Sequence, residues 1–237
     1  MNQTEQVISA MERLGGVSTL GRLYQTVDSS GWSTQTPFAT IRRIVQNQRY
    51  FFKIKAGLWA LNTHRDRLDH LINPGATAKK REELDHYYYQ GLLLEIGNVK
   101  RHQTFVPSQD KNRAFLDTTL GEVRRLKEMH RFSYERIVRR ARTIDVIWFN
   151  RRNMPEAVFE VEHTTNFRGA LSKYIELQDF NVQFYIVANH NRHGQYMNTI
   201  SSDEYHPIKG RVKFLDYEQL AGWHSNIMQS VAFAELP

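Results

Sequence analysis

Three carboxylates within a segment otherwise suited to burial are the most constraining feature of this sequence. Two runs of strand-forming residues, Ile144–Phe149 and Ala157–Val161, stand on either side of the polar turn NRRNMP. Their composition predicts two adjacent β-strands. Yet Asp145 lies inside the first run, and Glu160 and Glu162 lie inside or at the end of the second. A fold must either expose these acids to water or compensate their charges.

The spacing of the acids decides which of them can meet. Side chains alternate between the two faces of a strand, so Glu160 and Glu162 share a face. If the strands pair as an antiparallel hairpin, Asp145 lies within reach of either glutamate, although the sequence does not give the register. Clustered carboxylates raise one another's pKa, and a hard divalent cation relieves that repulsion. Alternatively, the acids form ion pairs with arginines of the basic run at 124–142, or they lie at a sheet edge that is exposed to water.

The order of elements around the acids carries a resemblance. A strand with an acid, a turn, an apolar strand ending in Glu-x-Glu and an amphipathic helix together resemble the core of the PD-(D/E)xK, or restriction-endonuclease-like, nuclease superfamily. The resemblance implies that Asp145 and Glu160 are catalytic metal ligands. Glu162 stands where the superfamily usually has lysine, which implies that it holds the attacking water. Lys173 in the next helix then supplies the missing positive charge, with Arg168 as the alternative.

The same resemblance implies a fold, a further ligand and a cofactor. Residues 81–237 are expected to form an α/β domain with a central mixed sheet flanked by helices. A preceding helix often supplies another acid in this superfamily, and Glu95 in LLLEIGNVKR is the candidate metal ligand. The implied cofactor is Mg²⁺, with Mn²⁺ as a substitute. His163 is interpreted as structural, and the other histidines lack a metal-binding spacing along the chain.

The first third of the chain predicts a separate DNA-binding fold. TEQVISAMERLG, STLGRLYQTV and TPFATIRRIVQNQ predict three helices, with Thr4 as the cap of the first and Pro37 opening the third. YFFKIKAGLWAL predicts two strands about Gly57. Three helices and a β-hairpin make a winged helix over residues 1–63, and the ending FFKIKAGLWAL resembles the HARE-HTH group. Residues 64–80 are interpreted as a linker to the second domain.

The third helix and the hairpin offer the contacts expected of a DNA-binding winged helix. Such a domain usually inserts its third helix into the major groove, while its wing contacts the flanking backbone. The basic run that precedes Asp145 adds two arginines in the second domain. The predicted DNA-binding residues are Thr36, Thr40, Arg42, Arg43, Gln46, Lys53, Lys55, Arg139 and Arg140.

Charge and composition restrict the partners and cofactors. The net charge is +7, and residues 1–80 carry 11 Lys and Arg against 5 Asp and Glu, which favours a polyanionic partner. The absence of cysteine excludes disulfides and thiolate metal sites. No apolar run reaches the ~20 residues of a membrane span, and neither a P-loop nor a Gly-x-Ser-x-Gly elbow is present. We expect no membrane partner, no nucleotide cofactor and a location in the cytoplasm of a prokaryotic cell.

Together these features predict a metal-dependent DNA endonuclease of a restriction-modification system. Its winged helix would read the sequence or the base modification of double-stranded DNA. Because cleavage of both strands requires two active sites, we expect a homodimer, at least on DNA. The chief alternative is a non-catalytic DNA-binding regulator that uses the nuclease-like fold as a binding or dimerisation platform, since the usual lysine is missing. An RNA-processing nuclease is a third interpretation.

Overall fold

The structure, a computed structural model, describes residues 1–68, 78–163 and 167–234. The helices are α1 (Gln3–Arg13), α2 (Leu20–Thr26), α3 (Pro37–Val45), α4 (Ala78–Val99), α5 (Leu120–Val123), α6 (Glu135–Ala141), α7 (Phe167–Ile175), α8 (His193–Ile200) and α9 (Tyr217–Ala234). The strands are β1 (Val17–Thr19), β2 (Phe51–Lys55), β3 (Leu58–Leu61), β4 (Gln103–Phe105), β5 (Ala114–Phe115), β6 (Thr118–Thr119), β7 (Val146–Phe149), β8 (Pro155–Glu162), β9 (Gln183–Ala188) and β10 (Val212–Asp216). None of these helices combines the length and apolarity that crossing a bilayer requires.

The chain divides into two compact units. The first comprises residues 1–81 together with 221–237, and the second comprises residues 82–220. The sequence did not predict that the C-terminal residues group with the first unit. The predicted linker at 64–80 includes residues 69–77, which lie outside the described residues. The predicted domain boundaries therefore stay a prediction.

The first unit places α1, β1, α2, α3, β2 and β3 in that order along the chain. Strand β3 lies between β1 and β2 in a three-stranded antiparallel sheet. Pro37 opens α3 as predicted. The prediction of Thr4 as the cap of α1 was wrong, because the Asn2 side chain accepts a hydrogen bond from the Glu5 amide at 2.9 Å. The Glu5 side chain in turn accepts from the Asn2 amide, which completes a capping box.

The core of the first unit is built from the apolar stripes of its helices. Val7 and Met11 of α1 pack with Phe38 and Ile41 of α3 in one cluster of buried side chains. Burying a large apolar side chain of this kind stabilises a fold by about 1.5–3 kcal/mol. The polar residues of α3 consequently lie on its outer face, where Arg42 and Arg43 are exposed.

The second unit is organised around a five-stranded mixed sheet in the order β10-β9-β8-β7-β4. Strand β7 pairs antiparallel with β4 and with β8, whereas β8, β9 and β10 run parallel. Parallel neighbours need crossover connections, and α7 lies between β8 and β9 in the chain while α8 lies between β9 and β10. The predicted mixed sheet flanked by helices is confirmed.

The register of β7 and β8 decides which acids lie opposite each other. Val146 pairs with Phe159, and Ile147 pairs with Val158. Continuing this antiparallel register by one residue sets Asp145, which directly precedes β7, opposite Glu160. The sequence allowed either glutamate of β8 as the partner of Asp145, and the pairing of the two strands selects one.

Helix α4 is held against β7 through a glycine. The Trp148 Nε1 donates a hydrogen bond to the Leu93 carbonyl at 3.1 Å. A Cβ atom at Gly97 would lie only 2.6 Å from Trp148 Nε1 and 2.6 Å from the Thr104 methyl group, closer than non-bonded atoms approach. The missing side chain at Gly97 therefore lets α4 lie close to the sheet and brings its earlier turns near the acids of β8.

Candidate metal centre

The Asp145 carboxylate is held at the start of β7 by the backbone of the neighbouring strand. The Val161 amide donates a hydrogen bond to Asp145 Oδ2 at 2.8 Å. Its other oxygen, Oδ1, lies 3.6 Å from His86 Nε2, and the Asp145 side chain is 14% exposed. A carboxylate that bonds a backbone amide through one oxygen keeps the other for a second partner.

The imidazole of His86, on α4, is also oriented by the backbone of β8. His86 Nδ1 lies 2.9 Å from the Val161 carbonyl oxygen. Because a carbonyl oxygen only accepts hydrogen bonds, Nδ1 must carry the proton, which leaves the lone pair of a neutral imidazole on Nε2. Val161 thus orients both side chains, with its N–H on Asp145 and its C=O on His86. Histidines that ligate metals typically donate their second N–H in this way.

A second aspartate reaches this place from the turn between β4 and β5. Asp110 is 7% exposed, and its Oδ2 accepts a hydrogen bond from Gln90 Nε2 at 3.2 Å. The same amide nitrogen lies 2.8 Å from His86 Nε2. Burial raises the pKa of the Asp110 carboxyl, and the nearby charge of Asp145 raises it further, while the hydrogen bond from Gln90 lowers it. A cation at this place would relieve the repulsion between the two aspartates.

These three side chains converge closely enough to share an ion. One ligand atom each of His86, Asp110 and Asp145 lies within 4.8 Å of the other two. Two ligands about 2.1 Å from one small divalent ion lie at most about 4.2 Å apart. The 3.6 Å separation of Asp145 Oδ1 and His86 Nε2 already fits this limit, and the third donor lies within 4.8 Å of both residues. We call His86, Asp110 and Asp145 the metal-ligand group.

Glu160 forms an ion pair with the side chain of Lys173. It is 2% exposed, and Lys173 Nζ of α7 donates to its two carboxylate oxygens at 2.9 and 2.7 Å. The third donor of the ammonium group bonds the Thr143 carbonyl at 2.7 Å. Burial raises the pKa of the Glu160 carboxyl above its ordinary value, the charge of Asp145 adds to this, and Lys173 opposes both. Lys173, which the sequence predicts as the source of positive charge near these acids, thus contacts Glu160 directly.

Comparison with known proteins identifies the family of this chain. Residues 72–232 match the family described as the type II restriction enzyme NmeDI C-terminal domain. The chain belongs to this family. The match covers most of the chain and supports the expectation of a restriction-enzyme-like protein. No curated protein and no solved structure matches the chain.

The other acids and cations predicted for the active site occupy different places in this NmeDI-type domain. Glu162 ends β8, two residues beyond Glu160, and its charge raises the pKa of Glu160. Arg168 is largely exposed and forms a long ion pair with Glu204 at 4.0 Å, so Lys173 is the cation that the fold brings to the acids. Glu95 is partly buried on α4. It follows His86 by nine residues, which places it about 13.5 Å along the helix and on the opposite side.

The predicted DNA-binding residues fall into two groups. In the first unit, Arg42, Arg43 and Gln46 are exposed at the end of α3, and Arg42 also bonds the Tyr24 hydroxyl at 3.4 Å. Thr36 precedes α3, Thr40 lies within it, and Lys53 and Lys55 lie on β2. In the second unit, Arg139 and Arg140 line a surface cavity of about 410 Å³ that also includes Arg136, Thr143 and Glu176. Thr143 connects this arginine cavity to Lys173 through its carbonyl oxygen.

A second cavity in this NmeDI-type domain is polar and lies beside the metal-ligand group. Its volume is about 460 Å³, within the range of about 300–1,000 Å³ that is usual for small-molecule sites. His163 contributes to its wall, and the centre of the His163 ring lies 5.5 Å from that of His86. The lining residues, which lie mostly beyond the carboxyl ends of β8, β9 and β10, are Glu82, Asp85, His163, Asn189, Asn191, Arg192, Gln195 and Tyr217.

Sequence reasoning missed His86 and Asp110. His86 stands in the aromatic run HYYYQ of a helix, where it has no second histidine at a metal-binding spacing, and Asp110 stands in a loop whose structure the sequence left open. Their partner Asp145 is more than thirty residues away in the chain from either one. The local signal that could have pointed here is the pair His86 and Gln90, four residues apart and hence on one helix face.

Proposed function

We propose that this protein is a divalent-metal-dependent endonuclease that hydrolyses phosphodiester bonds of double-stranded DNA. The observation that carries the proposal is the convergence of His86, Asp110 and Asp145 beside the pair of Glu160 and Lys173, in a chain of a type II restriction enzyme family. A restriction function implies cellular DNA metabolism in a prokaryotic cytoplasm, where incoming DNA is the substrate.

Each residue of the centre has a role in this proposal. His86, Asp110 and Asp145 hold the cation, expected to be Mg²⁺ or Mn²⁺. When bound, such an ion polarises phosphate oxygens and lowers the pKa of water. Glu162, at the end of β8, accepts a hydrogen bond from the attacking water and orients it. Lys173 contributes positive charge next to the developing charge of the phosphate.

Glu160 has a different role from the one expected at first. Both of its oxygens accept hydrogen bonds from Lys173, so we propose that Glu160 positions the lysine and contributes only indirectly to cation binding. This arrangement explains why a chain with glutamate at the usual lysine position still has an ammonium group at its centre. Glu95 stays a prediction that the geometry of α4 does not favour.

The first unit is proposed as the DNA reader. The helices α1, α2 and α3 and the three-stranded antiparallel sheet of residues 1–63 support a winged-helix interpretation, in which α3 enters the major groove. Arg42 and Arg43 can bond guanine and Gln46 adenine, whereas Lys53 and Lys55 suit phosphates. The net positive charge of residues 1–80 supports the same partner. Arg139 and Arg140 of the second unit would bind the backbone of the strand that is cut.

Cleavage assays with double-stranded DNA test the proposal. Purified protein with Mg²⁺ or Mn²⁺ should nick or linearise supercoiled plasmid or phage DNA from a panel of differently methylated sources. Asp145→Asn should lower the rate by about a hundredfold or more, the scale of losing one principal electrostatic contact. Asp179→Asn, the same change at an exposed acid of the second unit, should leave the rate unchanged. Two cuts per site would support the proposed homodimer on DNA.

A non-catalytic DNA-binding regulator is the second candidate function. The observation that favours it is the full use of the Lys173 ammonium group by Glu160 and Thr143, which ties down the cation nearest to the acids. If the wild type and Asp145→Asn both shift DNA in gels and neither cuts any member of the panel, the regulator interpretation replaces the endonuclease. Cleavage of RNA in preference to DNA would instead indicate an RNA-processing nuclease.

A further inference from the structure

We infer that the metal-ligand group of this protein selects Mn²⁺ over Mg²⁺, and that the imidazole of His86 is the ligand that sets this preference. The inference rests on the proposed function for its biological role, but the binding of the ion can be measured without DNA. It reverses the order of Mg²⁺ and Mn²⁺ that the resemblance to the nuclease superfamily implies.

The donor set of the metal-ligand group combines nitrogen and oxygen. Its three side chains offer one imidazole nitrogen and carboxylate oxygens from two aspartates. Mg²⁺ demands near-ideal octahedral geometry, prefers oxygen ligands and keeps much of its water. First-row transition ions accept imidazole nitrogen readily, while carboxylates also suit Mn²⁺. A mixed set of one nitrogen and several oxygens therefore favours Mn²⁺ over Mg²⁺.

The His86 imidazole is oriented by the backbone of β8. Its Nδ1–H is committed to the Val161 carbonyl at 2.9 Å, so the lone pair is on Nε2, which lies 3.6 Å from Asp145 Oδ1 and accepts a hydrogen bond from the Gln90 amide. The Val161 N–H holds Asp145 at the same time. A nitrogen ligand and an oxygen ligand are thus set by one residue of β8 before any ion arrives, and preorganised ligands lower the cost of binding.

Gln90 contacts two members of the metal-ligand group. It is fully buried, and its Oε1 has no hydrogen-bond partner among the described residues. Its Nε2 instead bonds both Asp110 and the lone-pair nitrogen of His86. Buried polar atoms without partners are rare in folded proteins, and a bound ion or water molecule is one explanation for them. Rotation of the amide group would turn Oε1 toward the place where Nε2 now bonds the two ligands.

The decisive experiment measures metal binding by the full-length protein without DNA. Isothermal titration should show Mn²⁺ binding about tenfold or more tighter than Mg²⁺, and excess Mg²⁺ should displace Mn²⁺ only weakly. Pulsed electron paramagnetic resonance of the Mn²⁺-loaded protein should show coupling to a ¹⁴N nucleus of an imidazole ligand. This second readout needs no variant and does not depend on nuclease activity.

A matched pair of variants assigns the preference to one residue. His86→Asp gives an all-oxygen donor set, so it should reduce the ratio of Mn²⁺ to Mg²⁺ affinity by about tenfold and abolish the ¹⁴N signal. His206→Asp, the same change at an exposed histidine of the second unit, should alter neither. Circular dichroism checks that both variants fold. If His86→Asp does not fold, the ¹⁴N signal of the wild-type protein tests the inference.

Each remaining result has a definite meaning. Equal affinities for the two ions, or a wild-type Mn²⁺ complex without ¹⁴N coupling, would overturn the inference even if the protein cuts DNA with Mg²⁺. Selective Mn²⁺ binding with ¹⁴N coupling would sustain it even if no DNA is cut, in which case the endonuclease proposal alone fails.

Discussion

The two units of this protein handle polar groups in opposite ways. Among the described residues, the buried polar side chains of the first unit are Ser18, Thr19, His224 and Ser225, and its charges lie on the surface of elements such as α3. The second unit buries two carboxylates, Asp110 and Glu160. Buried charge is costly unless it is paired, so a fold that keeps it is expected to use it. This difference supports the proposed division of roles, with DNA recognition on the surface of the first unit and catalysis in the second.

Breaking the buried ion pair gives the largest expected effect on stability. Lys173→Met leaves the Glu160 carboxylate buried without its partner, so we expect the free energy of unfolding to fall by about 3–5 kcal/mol. Denaturant unfolding of the full chain, followed by circular dichroism, measures this change. The double variant Lys173→Met with Glu160→Met should regain much of the loss, because well-packed apolar residues often replace a buried pair without cost.

A surface pair of the same unit serves as the control for this prediction. Arg136 bonds Glu176 at 2.7 Å, but its side chain is 76% exposed. Arg136→Met should therefore change the free energy of unfolding by no more than about 1 kcal/mol. Equal losses in Arg136→Met and Lys173→Met would contradict the view that burial makes the charge of Glu160 special.

An intermediate effect is expected where α4 packs on the sheet. In Gly97→Ala, the new methyl group would press against Trp148 and Thr104, and overpacking of this kind costs about 1–3 kcal/mol. Gly194→Ala lies in α8 with open space around it, so it should be neutral or stabilising by up to about 1 kcal/mol. Thermal and denaturant unfolding compare the two variants.

The comparison of Gly97→Ala with Gly194→Ala also tests how the metal-ligand group is held. If Gly97→Ala shifts α4, the metal-ligand group should loosen as well, because His86 lies on the same helix. Unchanged Mn²⁺ affinity together with lower stability would show that the early turns of α4 are held independently by Val161.

The smallest effects are expected from the surface charges of the first unit. Replacing Lys53 and Lys55 with glutamine should weaken DNA binding and reduce its dependence on salt by about 0.9 in the logarithmic slope for each phosphate contact that is lost. Fluorescence anisotropy at a series of salt concentrations, in the presence of a chelator, measures this slope.

The control for the surface charges removes the same charge from the second unit. Arg151 and Arg152 are exposed in the turn between β7 and β8, and their replacement with glutamine should leave the slope nearly unchanged. If both double variants lower the slope equally, the first unit has no special role in binding DNA. If replacing Arg139 and Arg140 with glutamine lowers the slope more, the main DNA-contact surface lies on the second unit.

Much of the fold could be predicted from local patterns. The apolar stripe of α3 and the proline at its start predicted that helix, and strand-forming residues on either side of a polar turn predicted β7 and β8. Period and turn chemistry act over a few residues and can be read directly. The three-residue strand β1 and the Asn2 cap were missed, since so short a strand has almost no period and the Asn2–Glu5 capping box competes with the neighbouring threonine.

The sequence by itself determined that Asp145 and Glu160 lie in adjacent strands of an apolar hairpin and must be compensated. Only the tertiary structure decided how. In the folded protein, Lys173 of α7 forms an ion pair with Glu160. His86 of α4 and Asp110 of a loop lie next to Asp145. Alternation along a strand is a local property of the backbone, whereas these meetings join residues far apart in the chain. They depend on how whole elements pack, down to the single missing methyl group at Gly97 that lets α4 approach the sheet.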